Sequence, residues 1–238
     1  GIKLTVTKEK IYSRDQNLWH ISQEGGDIEQ LENEHNEEVL YMMVTPPERA
    51  KDTPTYVDIT FEKGWPVKVD GESLSPATLL QKLNKIAGEN GVGVADIVEN
   101  RIVGMKSRGI YETPGGTLLM ESLMELETIV FDKDTLNFKK LVSQKYAEIA
   151  YNGQWFTPIK YALDAFVDSI DEVLTGTIKL KLYKGHIKIA GRFTENALYD
   201  EGISSFGSSE LYSHKDAEGF IKLFSLPNTI RAYKKLSK

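Results

Sequence analysis

Two segments of the chain alternate apolar and polar residues with a period of two. Val57, Ile59 and Phe61 alternate with Asp58, Thr60 and Glu62; Gly64-Trp65-Pro66 breaks the run, and Val67 and Val69 resume it before Asp70-Gly71. Ile178, Leu180 and Leu182 alternate with lysines, and Lys184-Gly185-His186 leads into Ile187 and Ile189. A period of two puts successive side chains on opposite faces, so both segments predict antiparallel hairpins. Ile2, Leu4 and Val6 alternate with Lys3 and Thr5, which predicts an opening strand over residues 1–7. Residues 8–38 are polar and predict irregular structure, and Tyr41 to Pro47 predicts a helix end or a short strand stopped by Pro46-Pro47.

Helical spacing dominates elsewhere. Ser75 is a candidate N-cap with Pro76 at the first helical position; Leu79, Leu80, Leu83, Ile86 and Ala87 share one face, and Gly88 is the expected stop. A second helix is predicted from about Thr117 to Ile129, after a Pro114-Gly115-Gly116 breaker, with Leu118, Leu119, Leu123 and Leu126 as candidate core. Asp134 is the candidate cap of a third, running to about Ala150. Thr157-Pro158 opens a fourth, with Leu163, Phe166, Ile170 and Val173 on one side. Residues 202–215 are rich in Ser and Gly and predict a mobile loop. Residues 216–238 predict two helical pieces separated by Pro227, the last carrying Arg231, Lys234, Lys235 and Lys238 toward its C-terminus, where cations suit the helix dipole. Strands and helices come in runs rather than in regular alternation, so the expected class is α+β, a largely antiparallel or mixed sheet with packed helices.

Composition narrows the chemistry. The chain has 238 residues, enough for a large core without a disulfide or metal staple. It has no cysteine, which excludes a disulfide scaffold, thiolate zinc sites and a Cys nucleophile, and fits a reducing cytosol, the expected compartment. Its four histidines are scattered, so no histidine-based metal site is expected. A net charge of −6 argues against a general nucleic-acid binder. No apolar run approaches the roughly 20 residues that span a membrane. A chain that opens directly in a strand, with none of the parts of a signal peptide, reads as a piece of something longer.

Two segments carry candidate chemistry. The stretch from Val98 to Gly116 sets Glu99, Arg101, Lys106 and Arg108 beside apolar residues. Unpaired charges are costly to bury, yet the segment is too apolar for a solvated loop; the expected compromise is a strand or turn with one face packed and the other lining a polar site. The stretch from Tyr12 to Gly26 collects hydroxyls, a carboxylate, amides and an imidazole, a composition that suits either a ligand-binding loop or a surface loop with Asx and Ser turns. Neither phosphate-binding glycine motif is present, nor is Gly-x-Ser-x-Gly.

Ser13-Arg14-Asp15-Gln16-Asn17-Leu18, with Ser22 nine residues after Ser13, resembles a motif of the argininosuccinate synthases. Asp96-Ile97-Val98-Glu99-Asn100-Arg101 and Gly104-Met105-Lys106-Ser107-Arg108-Gly109-Ile110-Tyr111-Glu112-Thr113-Pro114 resemble that family's longest shared stretch. Shorter likenesses follow in the same order at Lys145–Glu148, Trp155–Pro158, Leu182–Gly185 and Asp216–Ile221, so the resemblance covers nearly the whole chain. Val94-Ala95 departs from the pattern, and residues 30–52 and 203–215 match poorly.

The resemblance implies the C-terminal, synthetase and multimerisation half of an ATP-dependent ligase, without the nucleotide-binding half and its pyrophosphate loop. It implies that Ser13, Ser22, Glu99 and Tyr111 bind citrulline, that Asp15 lies near ATP or its Mg2+, and that Glu24, Lys106 and Arg108 lie at the rim, the two cations serving phosphates or structural ion pairs. No catalytic acid, base or resident metal is implied. In the implied reaction the citrulline ureido oxygen attacks ATP, pyrophosphate leaves, and aspartate displaces AMP. The implied organisation is a citrulline-binding domain over residues 1–225 and a C-terminal helical arm over 226–238 that builds a homo-oligomer, expected to be a tetramer. Two other readings stay open at this point. One is an oligomerisation module with no activity; the other is a binder of anions or nucleic acid through Arg101, Lys106, Arg108 and the lysine-rich hairpin.

Overall fold

A computed structural model describes residues 11–204 and 212–236. The strand expected over residues 1–7 lies outside this range, as does half of the expected loop at 202–215. The chain divides into two compact units, residues 1–196 and 197–238.

The first unit holds two antiparallel sheets. Strands β1 (Ser13–Gln16), β2 (Ile21–Glu24), β6 (Val94–Asn100) and β7 (Lys106–Glu112) form the smaller, in the order β1-β2-β7-β6. Strands β3 (Thr55–Glu62), β4 (Trp65–Val69), β5 (Glu72–Ser73), β8 (Gly176–Tyr183) and β9 (His186–Phe193) form the larger, in the order β5-β4-β3-β8-β9. The helices of this unit are α1 (Glu37–Leu40), α2 (Pro76–Glu89), α3 (Pro114–Val130), α4 (Lys133–Tyr151) and α5 (Pro158–Asp171). The class is α+β, as expected.

The two alternating segments form hairpins β3–β4 and β8–β9, and β3 pairs with β8 along its length. Their apolar faces (Val57, Ile59, Phe61, Ile178, Leu180, Leu182) pack against Leu79, Leu83 and Ala87 of α2 and Leu118, Leu126 and Val130 of α3. Burying side chains of this size contributes about 1.5–3 kcal/mol each before entropy is counted. The Ser75 hydroxyl accepts from the Thr78 amide, as an N-cap should.

Five local expectations change. Residues 13–16 and 21–24 are strands, not irregular chain. Their alternation carries no apolar signal, because one face is polar and open while the other places Arg14 and Gln23 against polar partners. Pro114-Gly115-Gly116 does not break the helix but is its first turn. Proline is tolerated at the first helical position, and a Cβ on Gly116 would sit 2.8 Å from the Trp19 ring. Gly88 does not stop α2, which runs on to Glu89; a Cβ there would meet the Met43 carbonyl oxygen at 2.1 Å. Asp132, not Asp134, caps α4, accepting from the Asp134 and Thr135 amides at 3.0 Å. Between Tyr41 and Pro47 the chain is irregular, following the single turn of α1.

One buried side chain joins the small sheet to the helices. Glu112, the last residue of β7, is fully buried. Its Oε1 accepts from Gln23 Nε2 at 2.9 Å and from the Met42 amide at 2.8 Å. Its Oε2 accepts from the Met43 and Val44 amides at 2.7 and 2.8 Å. The carboxylate thus meets donors that replace its hydration, the condition for burying a charge. The segment it holds lies on Gly88, where Thr45 donates to the Gly88 carbonyl at 2.9 Å.

In the second unit, α6 (Glu201–Ser204) precedes α7 (Asp216–Phe224) and α8 (Leu226–Leu236). The break between the last two falls at Ser225, with Pro227 inside the first turn of α8. Leu226, Ile230, Tyr233 and Leu236 recur at helical spacing and are exposed.

Glu112→Gln replaces an acceptor oxygen by an amide that faces backbone N–H groups. Urea unfolding should show a loss of about 3 kcal/mol, the scale for charged hydrogen bonds broken in an interior. Unchanged stability would show that the carboxylate is not needed to hold residues 42–44.

A candidate ligand face on the small sheet

Register decides which side chains share a face. Ser13 pairs with Glu24, Asp15 with Ser22, and Ser22 with Tyr111. Ala95 pairs with Tyr111, Ile97 with Gly109, and Glu99 with Ser107. Directly paired residues lie on the same side of an antiparallel sheet. Ser13, Asp15, Ser22, Glu24, Glu99, Ser107 and Tyr111 therefore occupy one face, although up to 98 residues separate them in the chain. The opposite face carries Arg14, Gln23, Asp96, Arg108, Ile110 and Glu112 and is covered by the segment that includes Ile28 and Leu40.

The face is graded from edge to centre. Ser13 and Asp15, on the edge strand, are exposed; Ser22 is buried; Glu24, Glu99 and Tyr111 are half-buried. The Tyr111 hydroxyl hydrogen-bonds Glu99, and its pKa is pushed from 10.0 up to about 12. Burial is the larger cause, followed by the Glu99 hydrogen bond and the negative charges of Glu99 and Glu24. His20 lies nearby, its ring centroid 6.3 Å from that of Tyr111.

Arg101 belongs to this constellation and was not singled out for it from sequence. Its Nη2 donates to Glu24 and, at 3.1 Å, to the Ser107 hydroxyl. The Glu24 contact holds the guanidinium pKa above its ordinary value. The arginine fixes the tight turn 101–105, where the Arg101 amide donates to the Met105 carbonyl at 2.7 Å. A cation one residue beyond a strand of site residues was the available signal, but only the fold shows that it reaches back to Glu24.

The two candidate rim cations lie on the other face. Arg108 grips Asp96 with both ends of its fork, at 2.9 and 2.6 Å, and its Nη1 donates to the carbonyls of Ile28, Gln30 and Asn33 at 3.0–3.2 Å. It fastens the covering segment to the sheet, and its hydrogen bond holds the Asp96 carboxyl below the usual range. Lys106 is exposed and pairs in register with Asn100 on that same side. Arg108 forms an ion pair with Asp96.

The β1–β2 turn is set by the side chain of Asn17, whose Oδ1 accepts from the Trp19 and His20 amides at 2.8 and 2.9 Å. Asn84 of α2 donates to the Leu18 carbonyl at 3.0 Å and accepts from the Gly115 amide at 2.8 Å. The hairpin that supplies Ser13, Asp15, Ser22 and Glu24 is thus docked onto two core helices. Among the described residues no cluster of three or more His, Asp or Glu is placed to hold a metal ion. No helix among them is long and apolar enough to cross a membrane.

Fold and face together define an α+β domain presenting a hydroxyl- and carboxylate-rich sheet surface. Among the described residues its three carboxylates (Asp15, Glu24, Glu99) outnumber one cation, Arg101, a balance suited to a small polar ligand carrying a positive charge. Comparison with known proteins says which such domain it is. Residues 12–231 match the family described as the arginosuccinate synthase C-terminal domain. The chain is 62% identical over all 238 residues to the argininosuccinate synthase of Clostridium acetobutylicum. It is 64% identical over 234 residues, 98% of its length, to that of Clostridium botulinum strain Langeland. It spans 59% of the length of each of these relatives. The chain belongs to the argininosuccinate synthase family and corresponds to its C-terminal domain.

The coupling of Tyr111 to Glu99 can be read by titration. The raised pKa means that the fold favours the neutral phenol, so this contribution to stability is present below pH 10 and lost as pH rises through about 12. In an ultraviolet difference titration against Tyr111→Phe, the Tyr111 signal should appear near 12, and Glu99→Gln should move it down toward 10. No movement in Glu99→Gln would show that the two groups are not coupled.

Proposed function

We propose that the open face of the small sheet binds citrulline, and that the whole protein to which this domain belongs joins citrulline to aspartate at the expense of ATP, in arginine biosynthesis. The observation that carries this reading is the convergence of Ser13, Ser22, Glu99 and Tyr111 on one sheet face, with Tyr111 in contact with Glu99. Citrulline presents an ammonium, a carboxylate and a neutral ureido group. Glu99 suits the ammonium. The hydroxyls of Ser13, Ser22 and Tyr111 suit the carboxylate or the ureido group, as neutral donors that cost less to desolvate than cations. Tyr111 stays protonated at neutral pH and so remains a donor.

On this reading the reaction passes through a citrullyl-adenylate, with pyrophosphate and then AMP released. The residues named here orient the ureido oxygen rather than move protons, and the gain is one of positioning. Nucleotide binding is assigned to sequence other than this chain's, which has no phosphate-binding glycine motif. Asp15, exposed on the edge strand beside Ser22, is the carboxylate available to a nucleotide or its Mg2+ from this side; as a lone oxygen donor it fits one contact to a magnesium ion that arrives with ATP.

The exposed apolar stripe of α8 supports assembly into a homo-oligomer, for which we propose a tetramer. Arg101, Arg108, Lys179 and Lys184 each face a carboxylate, which favours a ligand face over a nucleic-acid surface. We assign the protein to the cytoplasm on its biosynthetic role.

Glu99→Ala, made in the protein as its gene encodes it, should raise the citrulline KM roughly 10- to 100-fold, the scale for losing a charged hydrogen bond, and leave the ATP KM nearly unchanged. An unchanged citrulline KM would remove Glu99 from the site and return the domain to the inactive-module reading. Removing the residues after Pro227 should lower the mass seen by light scattering on size exclusion; an unaltered mass would remove α8 from the assembly.

A further inference from the structure

Tyr111 and Glu99 sit on neighbouring strands but not opposite each other. Tyr111 pairs with Ala95 and Glu99 with Ser107, so the two side chains must lean toward each other along the strands to meet. Between them on the same face lies Gly109. A Cβ built there would fall 2.9 Å from Tyr111 Cε2 and 3.1 Å from both Cζ and Oη. The ring therefore lies flat over Gly109, in the space where any other residue has its side chain. The atoms in conflict belong to the far end of one side chain, not to the backbone, and Gly109 occupies an ordinary strand conformation. A methyl group at 109 would thus press first on the Tyr111 ring and shift its hydroxyl.

We propose that Gly109 is a positioning residue for citrulline: its missing side chain is the track along which Tyr111 reaches Glu99, and so sets the spacing between the hydroxyl and the carboxylate that receive the substrate. This rests on the reading of the face as the citrulline site. The large sheet holds the same arrangement without the chemistry. Gly191 and Phe193 stand two residues apart on β9, and a Cβ on Gly191 would fall 2.9 Å from Phe193 Cε2 and 3.1 Å from its Cζ. There the ring carries no polar tip. Gly191→Ala is consequently a matched control for the steric change alone.

The test compares Gly109→Ala, Gly191→Ala, Tyr111→Ala, Glu99→Ala and the double variant Gly109→Ala/Tyr111→Ala in the protein as its gene encodes it. Citrulline and ATP KM and melting temperature are measured for each. Gly109→Ala is expected to raise the citrulline KM about tenfold, the loss of one good hydrogen bond, with the ATP KM and melting temperature not worsened. Gly191→Ala is expected to change nothing, and Gly109→Ala is expected to add nothing once Tyr111 is gone, because the two changes act through one group. An unchanged citrulline KM in Gly109→Ala, while Glu99→Ala raises it, would overturn the role of Gly109 and leave the site standing. An equal further loss in the Tyr111→Ala background would overturn it too, by showing that the glycine acts through the backbone. If Glu99→Ala itself leaves citrulline unaffected, the site reading falls and takes this proposal with it.

Discussion

A carboxylate buried at the end of a strand organises this domain. Glu112 faces inward where β7 ends and α3 begins, and five hydrogen bonds from Gln23 and the amides of Met42, Met43 and Val44 surround it. A buried charge without such donors would cost several kcal/mol, so the position is viable only if residues 42–44 turn their amides toward it. That requirement fixes the path of the chain over α2 and explains the need for a glycine at 88. It also commits one face of the small sheet to the interior: Gln23 and Arg14 on β1–β2, Arg108 and Ile110 on β7, and the covering segment all sit on the Glu112 side. Because side chains alternate along a strand, the residues between them are committed to the other face.

The open face is the complement of that arrangement. Ser22 lies between Ile21 and Gln23, Tyr111 between Ile110 and Glu112, and Glu99 opposite Ser107, next to Arg108. A slip of one residue in any of these pairings would send the hydroxyls inward and the anchors out. The open-face chemistry and the structural anchoring are therefore not separable in this sheet, and the division explains why the two arginines of the central segment, Arg101 and Arg108, have different tasks. Arg101 steadies the face beside Glu24 and Ser107. Arg108 fastens the cover on the far side.

Much of the fold could be read from the sequence where the physics is local. The hairpins β3–β4 and β8–β9 declare themselves because one face is apolar and the other is wet; Ser75-Pro76 marks a helix start by capping and proline geometry, and Thr157-Pro158 by proline geometry alone, the Thr157 hydroxyl donating to the Gln154 carbonyl instead of capping. The small sheet was hidden because neither of its faces is simply apolar: Ser13, Asp15, Ser22 and Glu24 lie on the open face, while Arg14 and Gln23 satisfy polar partners on the other. Gly88 and the pair Gly115-Gly116 misled for a related reason. They look like helix breakers, yet each is a place where Met43, Asn84 or Trp19 comes too close for a side chain, a fact of tertiary packing that local pattern does not carry. The four residues assigned to citrulline were reachable only through their resemblance to a family; nothing in their spacing says that strands at 13, 22, 99 and 111 meet.

The central claim is that citrulline lies on the face shared by Ser13, Ser22, Glu99 and Tyr111. A crystal structure of the protein grown with citrulline tests it most directly. The account predicts the ligand on that face, with its ammonium on Glu99 and the Tyr111 hydroxyl within hydrogen-bond distance. Citrulline bound elsewhere, with Glu99 and Tyr111 still in contact only with each other, would contradict it.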